Sequence, residues 1–91
     1  MKNIHAIVEG RVQGVGFRSF TQSTAIENNI VGWVKNLENG SVEIIAQGKE
    51  EEMEDFLAKI KKGPSMFAKV RNVKLEERKD FEVFNKFEIK Y

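Results

Sequence analysis

The sequence predicts an α+β fold in which two helices cover one face of a mostly antiparallel sheet. Short apolar segments with a period of two, typical of strands, alternate with two longer segments that have helical spacing. Their order along the chain is strand, helix, strand, strand, helix, strand, and then a last strand. With right-handed crossovers, this order gives a split β-α-β arrangement with an added C-terminal strand.

The first predicted strand and helix flank a glycine-rich turn. The strand covers about residues 4–9, and the apolar residues that alternate along one of its faces are Ile4, Ala6 and Val8. The helix covers about residues 17–27 and its apolar stripe begins at Phe17. Asn28 and Asn29 follow it, and Asn tolerates the left-handed conformation that ends many helices.

The next two strands form a predicted hairpin. They cover about residues 31–37 and 42–47, and Glu38-Asn39-Gly40 supplies the tight turn between them. The residues expected to point inwards from the second strand are Val42, Ile44 and Ala46. Trp33, in the first strand, is interpreted as a core or rim residue rather than a stacking platform.

The second helix, about residues 49–62, has the clearest helical pattern in the chain. Its apolar residues, spaced by three and four, are Met53, Phe56, Leu57 and Ile60. Glutamates lie near its positive end and lysines near its negative end, and Gly63-Pro64 ends it. Because helix electrostatics and solvation explain these charges, we do not interpret them as a binding patch.

Two strands are predicted in the last third of the chain, over about residues 68–77 and in the tail 81–91. The apolar phase of the first changes at Asn72, which indicates a bulge or a twist. The tail alternates Phe87, Ile89 and Tyr91. The complete arrangement is ferredoxin-like, and 91 residues suit a single domain, residues 1–91.

Composition excludes several classes of protein. A formal net charge of +1 argues against a nucleic-acid protein with a wholly basic surface. No apolar run approaches the roughly 20 residues of a membrane span. The absence of cysteine removes disulfides and a thiol nucleophile, and one histidine argues against a multi-histidine metal site. We expect a cytoplasmic monomer with no membrane or nucleic-acid partner.

RNA binding is also disfavoured because the outward face of the predicted strands lacks an aromatic pair and carries His5, Glu9, Glu43 and Gln47.

The stretch Gly10-Arg11-Val12-Gln13-Gly14-Val15-Gly16-Phe17-Arg18 joins the first strand to the first helix. Glycines allow positive φ, successive N–H groups can line a concavity, and a helix N-terminus favours an anion. Arg18 adds a planar fork of donors that matches phosphate oxygens. Gly16 is followed by neither Lys nor Ser/Thr, as a Walker loop requires, and Ser19 replaces the third glycine of a dinucleotide fingerprint. The pattern alone fits a plain turn and an anion site equally well.

The same nine residues closely resemble the signature of the acylphosphatase family. Gly32-Trp33-Val34-Lys35-Asn36, followed by Asn39-Gly40 and Val42-Glu43, is similar to that family's second signature. The similarity continues through Gly63-Pro64 to Phe87-Glu88-Ile89-Lys90-Tyr91 and so covers nearly the whole chain. The resemblance implies a ferredoxin-like fold and hydrolysis of acyl phosphates to carboxylate and inorganic phosphate, with no metal or organic cofactor.

The resemblance also implies roles for particular residues. Arg18 and the backbone N–H groups of the turn would hold the phosphoryl oxygens, and the residues of that turn are Gln13, Gly14, Val15, Gly16 and Phe17. Asn36 resembles the family's water-orienting asparagine. If the last strand ends near the turn, the Tyr91 carboxylate could orient Arg18. A domain that binds phosphate or an acyl phosphate without turnover is the alternative interpretation.

Overall fold

A computed structural model describes residues 1–64 and 68–91, which form five strands and two helices. The elements are β1 (Lys2–Arg11), α1 (Phe17–Glu27), β2 (Val31–Asn36), β3 (Val42–Gly48), α2 (Glu50–Lys62), β4 (Lys69–Glu77) and β5 (Phe87–Lys90). The sheet order is β4-β1-β3-β2-β5, and both helices pack on this sheet. Every strand pair is antiparallel except β2–β5, so the predicted α+β fold is confirmed.

The core lies between the sheet and the two helices. The inward residues predicted for the first and third strands are all buried there: Ile4, Ala6, Val8, Val42, Ile44 and Ala46. From α2 the side chains of Met53, Phe56 and Ile60 complete this layer, while Leu57 is only partly buried. The helical and strand periods of the sequence therefore identify the core-facing side of each of these elements correctly.

The predicted irregularity in the fourth strand is a β-bulge. Glu9 pairs with Asn72, but the next residue of β1, Gly10, pairs with Val70. Arg71 is therefore the extra residue on β4. It lies one position before Asn72, where the apolar phase changes in the sequence.

The predicted extent of the last strand is wrong. Only Phe87–Lys90 forms a strand, whereas residues 81–86 have no partner in the sheet ladder. Their polar groups bond instead to the Gln47 side chain, which donates to the Glu82 carbonyl at 3.1 Å and accepts from the Phe84 N–H at 3.2 Å. A buried glutamine of β3 thus holds Glu82 and Phe84 of this segment, while the Lys86 carbonyl accepts from the Gly32 N–H of β2 at 2.9 Å.

The other predicted element ends differ from the observed ones by at most two residues, and both ends of α1 are as predicted. The start of β2 is as predicted, but it ends at Asn36, because the Leu37 N–H bonds to the Ser41 carbonyl at 2.9 Å and so belongs to the turn. Asn29 adopts φ 57° after α1, as expected of an Asn beside a helix C-terminus. No helix of the described residues is long and apolar enough to cross a membrane.

Candidate active site

The loop between β1 and α1 curls through two glycines in the left-handed region. Gly14 has φ 76° and Gly16 has φ 77°. A Cβ added at either position would meet no heavy atom within 4 Å, so these glycines serve the backbone conformation rather than close packing. The loop therefore presents its backbone to solvent at the point where α1 begins.

The first turn of α1 has the features of an anion site. The N–H groups of its first residues have no acceptor within the helix, which is true of every helix N-terminus. Gly16 is the N-cap and supplies no side-chain acceptor, and the first turn contains no acidic residue. The positive end of the helix dipole is thus left uncompensated by side chains of the helix itself.

Arg18 lies in this first turn and is held by the last strand. One guanidinium nitrogen, Nη1, donates to the Lys90 carbonyl at 3.2 Å. The guanidinium carbon lies 4.7 Å from the centroid of the Tyr91 ring, a cation–π contact. The ion pairs found among residues 1–64 and 68–91 do not include one between Arg18 and a carboxylate, so a backbone carbonyl and a ring provide the contacts expected from the Tyr91 carboxylate.

Asn36 is the last residue of β2, and its side chain contains an unused acceptor. The Oδ1 atom is buried without a hydrogen-bond partner in the part of the chain that the structure describes. Buried polar atoms are nearly always hydrogen-bonded, because an unpaired one loses its contacts with water. An unpaired amide oxygen in this place is therefore available to a water or ligand that donates a hydrogen bond.

Arg18 and Asn36 open into the same cavity, which has a volume of about 130 Å³. The residues that line it are Val12, Gly14, Gly16, Phe17, Arg18, Ser19 and Asn36. This is well above the roughly 10–15 Å³ that a cavity needs to hold one water. The fold thus joins the two residues singled out by the family resemblance with three of the five loop residues.

The other two loop residues, Gln13 and Val15, do not line this cavity. The Val15 side chain packs against the core, and the Gln13 side chain is bonded to the β2–β3 turn. Conversely, Val12 and Ser19 line the cavity although neither was expected to contact a ligand. Their positions directly beside the loop and Arg18 are the only signal for them in the sequence.

A larger hollow of about 540 Å³ lies beside the bulge and is lined by Gly10, Arg11, Lys69 and Arg71. All three of its cationic side chains belong to exposed residues. It includes neither Arg18 nor Asn36. Because it lacks a buried polar group and the helix N-terminus, its size does not make it the stronger candidate site.

The chain is similar over its whole length to proteins named acylphosphatase. A family model described as Acylphosphatase matches residues 4–89. The acylphosphatase of Oceanobacillus iheyensis is 48% identical over 91 residues, and that of Bacillus licheniformis 50% identical over 91 residues, each alignment covering 100% of both chains. The crystal structure of acylphosphatase from Bacillus subtilis superimposes with a TM-score of 0.95 at 43% identity, again over 100% of both chains.

Proposed function

The chain belongs to the acylphosphatase family, and from this premise we propose how its candidate site hydrolyses an acyl phosphate. Membership of the family makes the chain a hydrolase. The bond cleaved joins a carboxyl oxygen to phosphorus, and the products are a carboxylate and inorganic phosphate. The substrate is a small acyl phosphate, gripped at its phosphoryl end.

The phosphoryl group binds between the loop and Arg18. N–H groups of the turn, among them those of Gly14, Gly16 and Phe17, which line the cavity, donate to its non-bridging oxygens together with the guanidinium, and the helix dipole adds a favourable field. Phosphoryl transfer has a loose transition state, so positioning and charge stabilisation supply most of the catalysis. Donors that are already in place before the reaction strengthen as charge shifts and so lower the barrier.

Asn36 orients the attacking water. Its Oδ1 accepts a hydrogen bond from the water, and its Nδ2 can donate to a phosphoryl oxygen. An amide is not a useful base, so the water proton passes to a phosphate oxygen as the new P–O bond forms. The electron pair of the breaking P–O bond leaves with the carboxylate, which requires no general acid.

The observation that carries this proposal is the unpaired Oδ1 of Asn36 in a cavity shared with Arg18. The two side chains come from different elements, β2 and α1, so only the fold brings them to one cavity. A water that donates to Oδ1 would satisfy the orphaned atom and stand beside the phosphoryl site. An in-line attack needs a water held in this way beside the phosphoryl group.

The test is the hydrolysis of benzoyl phosphate, measured in the presence of a chelator. We expect the wild-type chain to remain active, because the charge stabilisation proposed comes from Arg18 and backbone amides. Arg18→Ala should lower kcat/KM by about 10³-fold, as loss of a charged transition-state donor does. Asn36→Ala should lower kcat by about 10²-fold or more, because the water is no longer oriented.

Three results would contradict the proposal. A wild-type rate equal to the uncatalysed rate would remove the hydrolysis itself, and phosphate binding that depends on Arg18 would then favour a binding domain. Full activity in both variants would remove the roles assigned to Arg18 and Asn36. Loss of the wild-type activity on chelation would require a metal in the reaction.

A further inference from the structure

The Gln13 side chain joins the loop between β1 and α1 (residues 12–16, here the phosphate loop) to the turn that follows Asn36. Its Nε2 donates to the Leu37 carbonyl at 2.7 Å and to the Ser41 carbonyl at 2.8 Å. These carbonyls stand at the two ends of the β2–β3 turn, and Leu37 directly follows Asn36 in the chain. One carboxamide therefore closes the base of the turn from the side of the loop.

Only the NH₂ end of the amide can make these two contacts. Both partners are carbonyl oxygens, so the opposite amide orientation would place three acceptors together. Both protons of Nε2 are used, and the Ser41 carbonyl also accepts from the Leu37 N–H at 2.9 Å, which fills its two lone pairs. Both N–H groups of the Gln13 amide therefore have an acceptor, and a side chain of this length without an NH₂ group could not replace them.

No backbone hydrogen bond between residues 12–16 and 37–41 is found in the described chain. The hydrogen bonds of the Gln13 amide consequently connect the loop to the end of β2, where Asn36 lies. We propose that Gln13 is a positioning residue, whose side chain holds the phosphate loop in register with the Asn36 carboxamide. This inference rests on the proposed function, because it assigns Asn36 and the loop to one reaction.

The first test replaces Gln13 by Met, which keeps the length of the side chain and removes both donors. We expect kcat for benzoyl phosphate to fall by about 10–100-fold, since a displacement of about 1 Å in a reacting group has an effect of this size. The inhibition constant of inorganic phosphate should change less than about threefold, because Arg18 and the loop amides still hold the anion. A purely structural role predicts no such split between kcat and phosphate binding.

The second test asks whether Gln13 acts through Asn36. In a chain that already contains Asn36→Ala, Gln13→Met should lower kcat by less than about twofold, because residues that act as one unit are not additive. If the two effects multiply, Gln13 acts independently of Asn36 and the proposal is wrong. If Asn36→Ala alone leaves kcat unchanged, the role proposed for Asn36 fails as well, and the two failures are therefore distinguishable.

Gln13→Glu supplies a third measurement that does not depend on how well the Met variant folds. A carboxylate facing two carbonyl oxygens donates nothing and is repelled by them, whereas a protonated carboxyl restores one hydrogen bond. The ratio of variant to wild-type kcat should therefore rise as the pH falls through the pKa of the new carboxyl. A ratio independent of pH would contradict the proposal.

Gln47→Met is the matched control. Gln47 also donates from Nε2 to two oxygens, of Asn3 and Glu82, but at the opposite end of β3 from the β2–β3 turn. The same exchange there should lower the denaturant midpoint while kcat of the folded protein stays within about twofold of wild type, as for a site distant from the reaction. If Gln47→Met lowers kcat as much as Gln13→Met does, the loss of any buried glutamine hydrogen bond has this effect. That result would overturn the proposal.

Discussion

The Arg18 guanidinium is fixed by one hydrogen bond and keeps other N–H groups free to bind a ligand. A guanidinium has five N–H groups, and the Lys90 carbonyl accepts from Nη1, which leaves the greater part of the fork for a ligand. The Tyr91 ring lies 4.7 Å from the guanidinium carbon and restricts the plane of the group. A long and flexible side chain is thus oriented before an anion arrives, which reduces the entropy lost on binding.

The exchange Arg18→Lys tests whether the fork matters or only the charge. A lysine ammonium is a compact charge that cannot present a planar fork, so we expect kcat/KM for benzoyl phosphate to fall by about 10²-fold. Arg11→Lys is the matched control, because Arg11 is exposed at the end of β1 and lies outside the cavity. Equal activity of the Arg18→Lys variant and wild type would show that charge alone is sufficient.

The elements that meet at the site depend on a close approach of strands. Gly32 in β2 has φ 138°, and a Cβ at this position would overlap the Ile45 carbonyl of β3. Gly10 in β1 has φ 137° and would meet the Lys69 carbonyl of β4 in the same way. Only glycine permits this backbone conformation, so the spacing of β2 and β3, and hence the position of Asn36, depends on Gly32.

We expect Gly32→Ala to lower the free energy of unfolding by about 3 kcal/mol or more, from the strained φ and the overlap together. Gly40→Ala is the control, because Gly40 has φ 92° in the turn but a Cβ there would meet nothing within 4 Å. Its effect should be about 1 kcal/mol, from the backbone conformation alone. Urea denaturation measures both values, and equal losses would show that the close approach of β2 and β3 has no energetic weight.

The bulge between β1 and β4 is accompanied by a charged pair of side chains. The pKa of the Glu9 carboxyl is lowered first by a hydrogen bond from the Asn72 amide, at 2.9 Å, and then by the Lys74 ammonium. Since the folded pKa lies below the unfolded one, the contribution to stability is present above the unfolded pKa. It is lost as the pH falls through the folded pKa.

In the variant Asn72→Ala the pKa of Glu9 should therefore move up towards its ordinary value, as followed by NMR titration of the side-chain carboxyl. The variant Lys74→Ala should raise the same pKa by a smaller amount, because the lysine acts over 3.7 Å in exposed surroundings. A larger rise for Lys74→Ala than for Asn72→Ala would contradict this order of causes.

At the scale of the whole molecule, periodicity in the sequence predicts the helix and sheet layers. It does not predict the side-chain hydrogen bonds that connect distant segments. The pattern of Met53, Phe56 and Ile60 identifies the buried face of α2, because a helix must bury one stripe. The segment 82–84 is not predictable in this way, since the side chain that bonds to it, Gln47, lies far away in the sequence. The same is true of Gln13, whose side-chain contacts exist only after β2 and β3 have folded into a hairpin.

The candidate site also has a part that is predictable from the sequence and a part that is not. The two signatures single out Arg18 and Asn36 as residue types, and the fold places both at one cavity. The Lys90 carbonyl and the Tyr91 ring that hold Arg18 belong to the end of β5 and to the residue after it, more than seventy residues later in the chain. No local pattern encodes such a contact, because it depends on the tertiary pairing of β5 with β2.

Binding of inorganic phosphate should stabilise the whole molecule. A ligand that binds only the folded state at 100 times its dissociation constant adds about 2.7 kcal/mol, which in a domain of this size raises Tm on the order of 10 °C. Arg18→Ala should remove most of this rise at equal phosphate concentration. Lys69→Ala, in the larger hollow, should retain it, and the reverse result would assign the anion to that hollow instead.

The parallel pairing of β5 with β2 has a consequence for how the molecule acquires activity. Trp33, the single tryptophan of the chain, pairs with Glu88 more than fifty residues later, and the Lys90 ammonium lies 4.6 Å from the centroid of its ring. Because so distant a pairing closes a long loop, we expect it to form later in folding than the local β2–β3 hairpin. The indole is thus a natural fluorescent reporter, and we expect its emission during refolding to follow the docking of the segment that contacts Arg18.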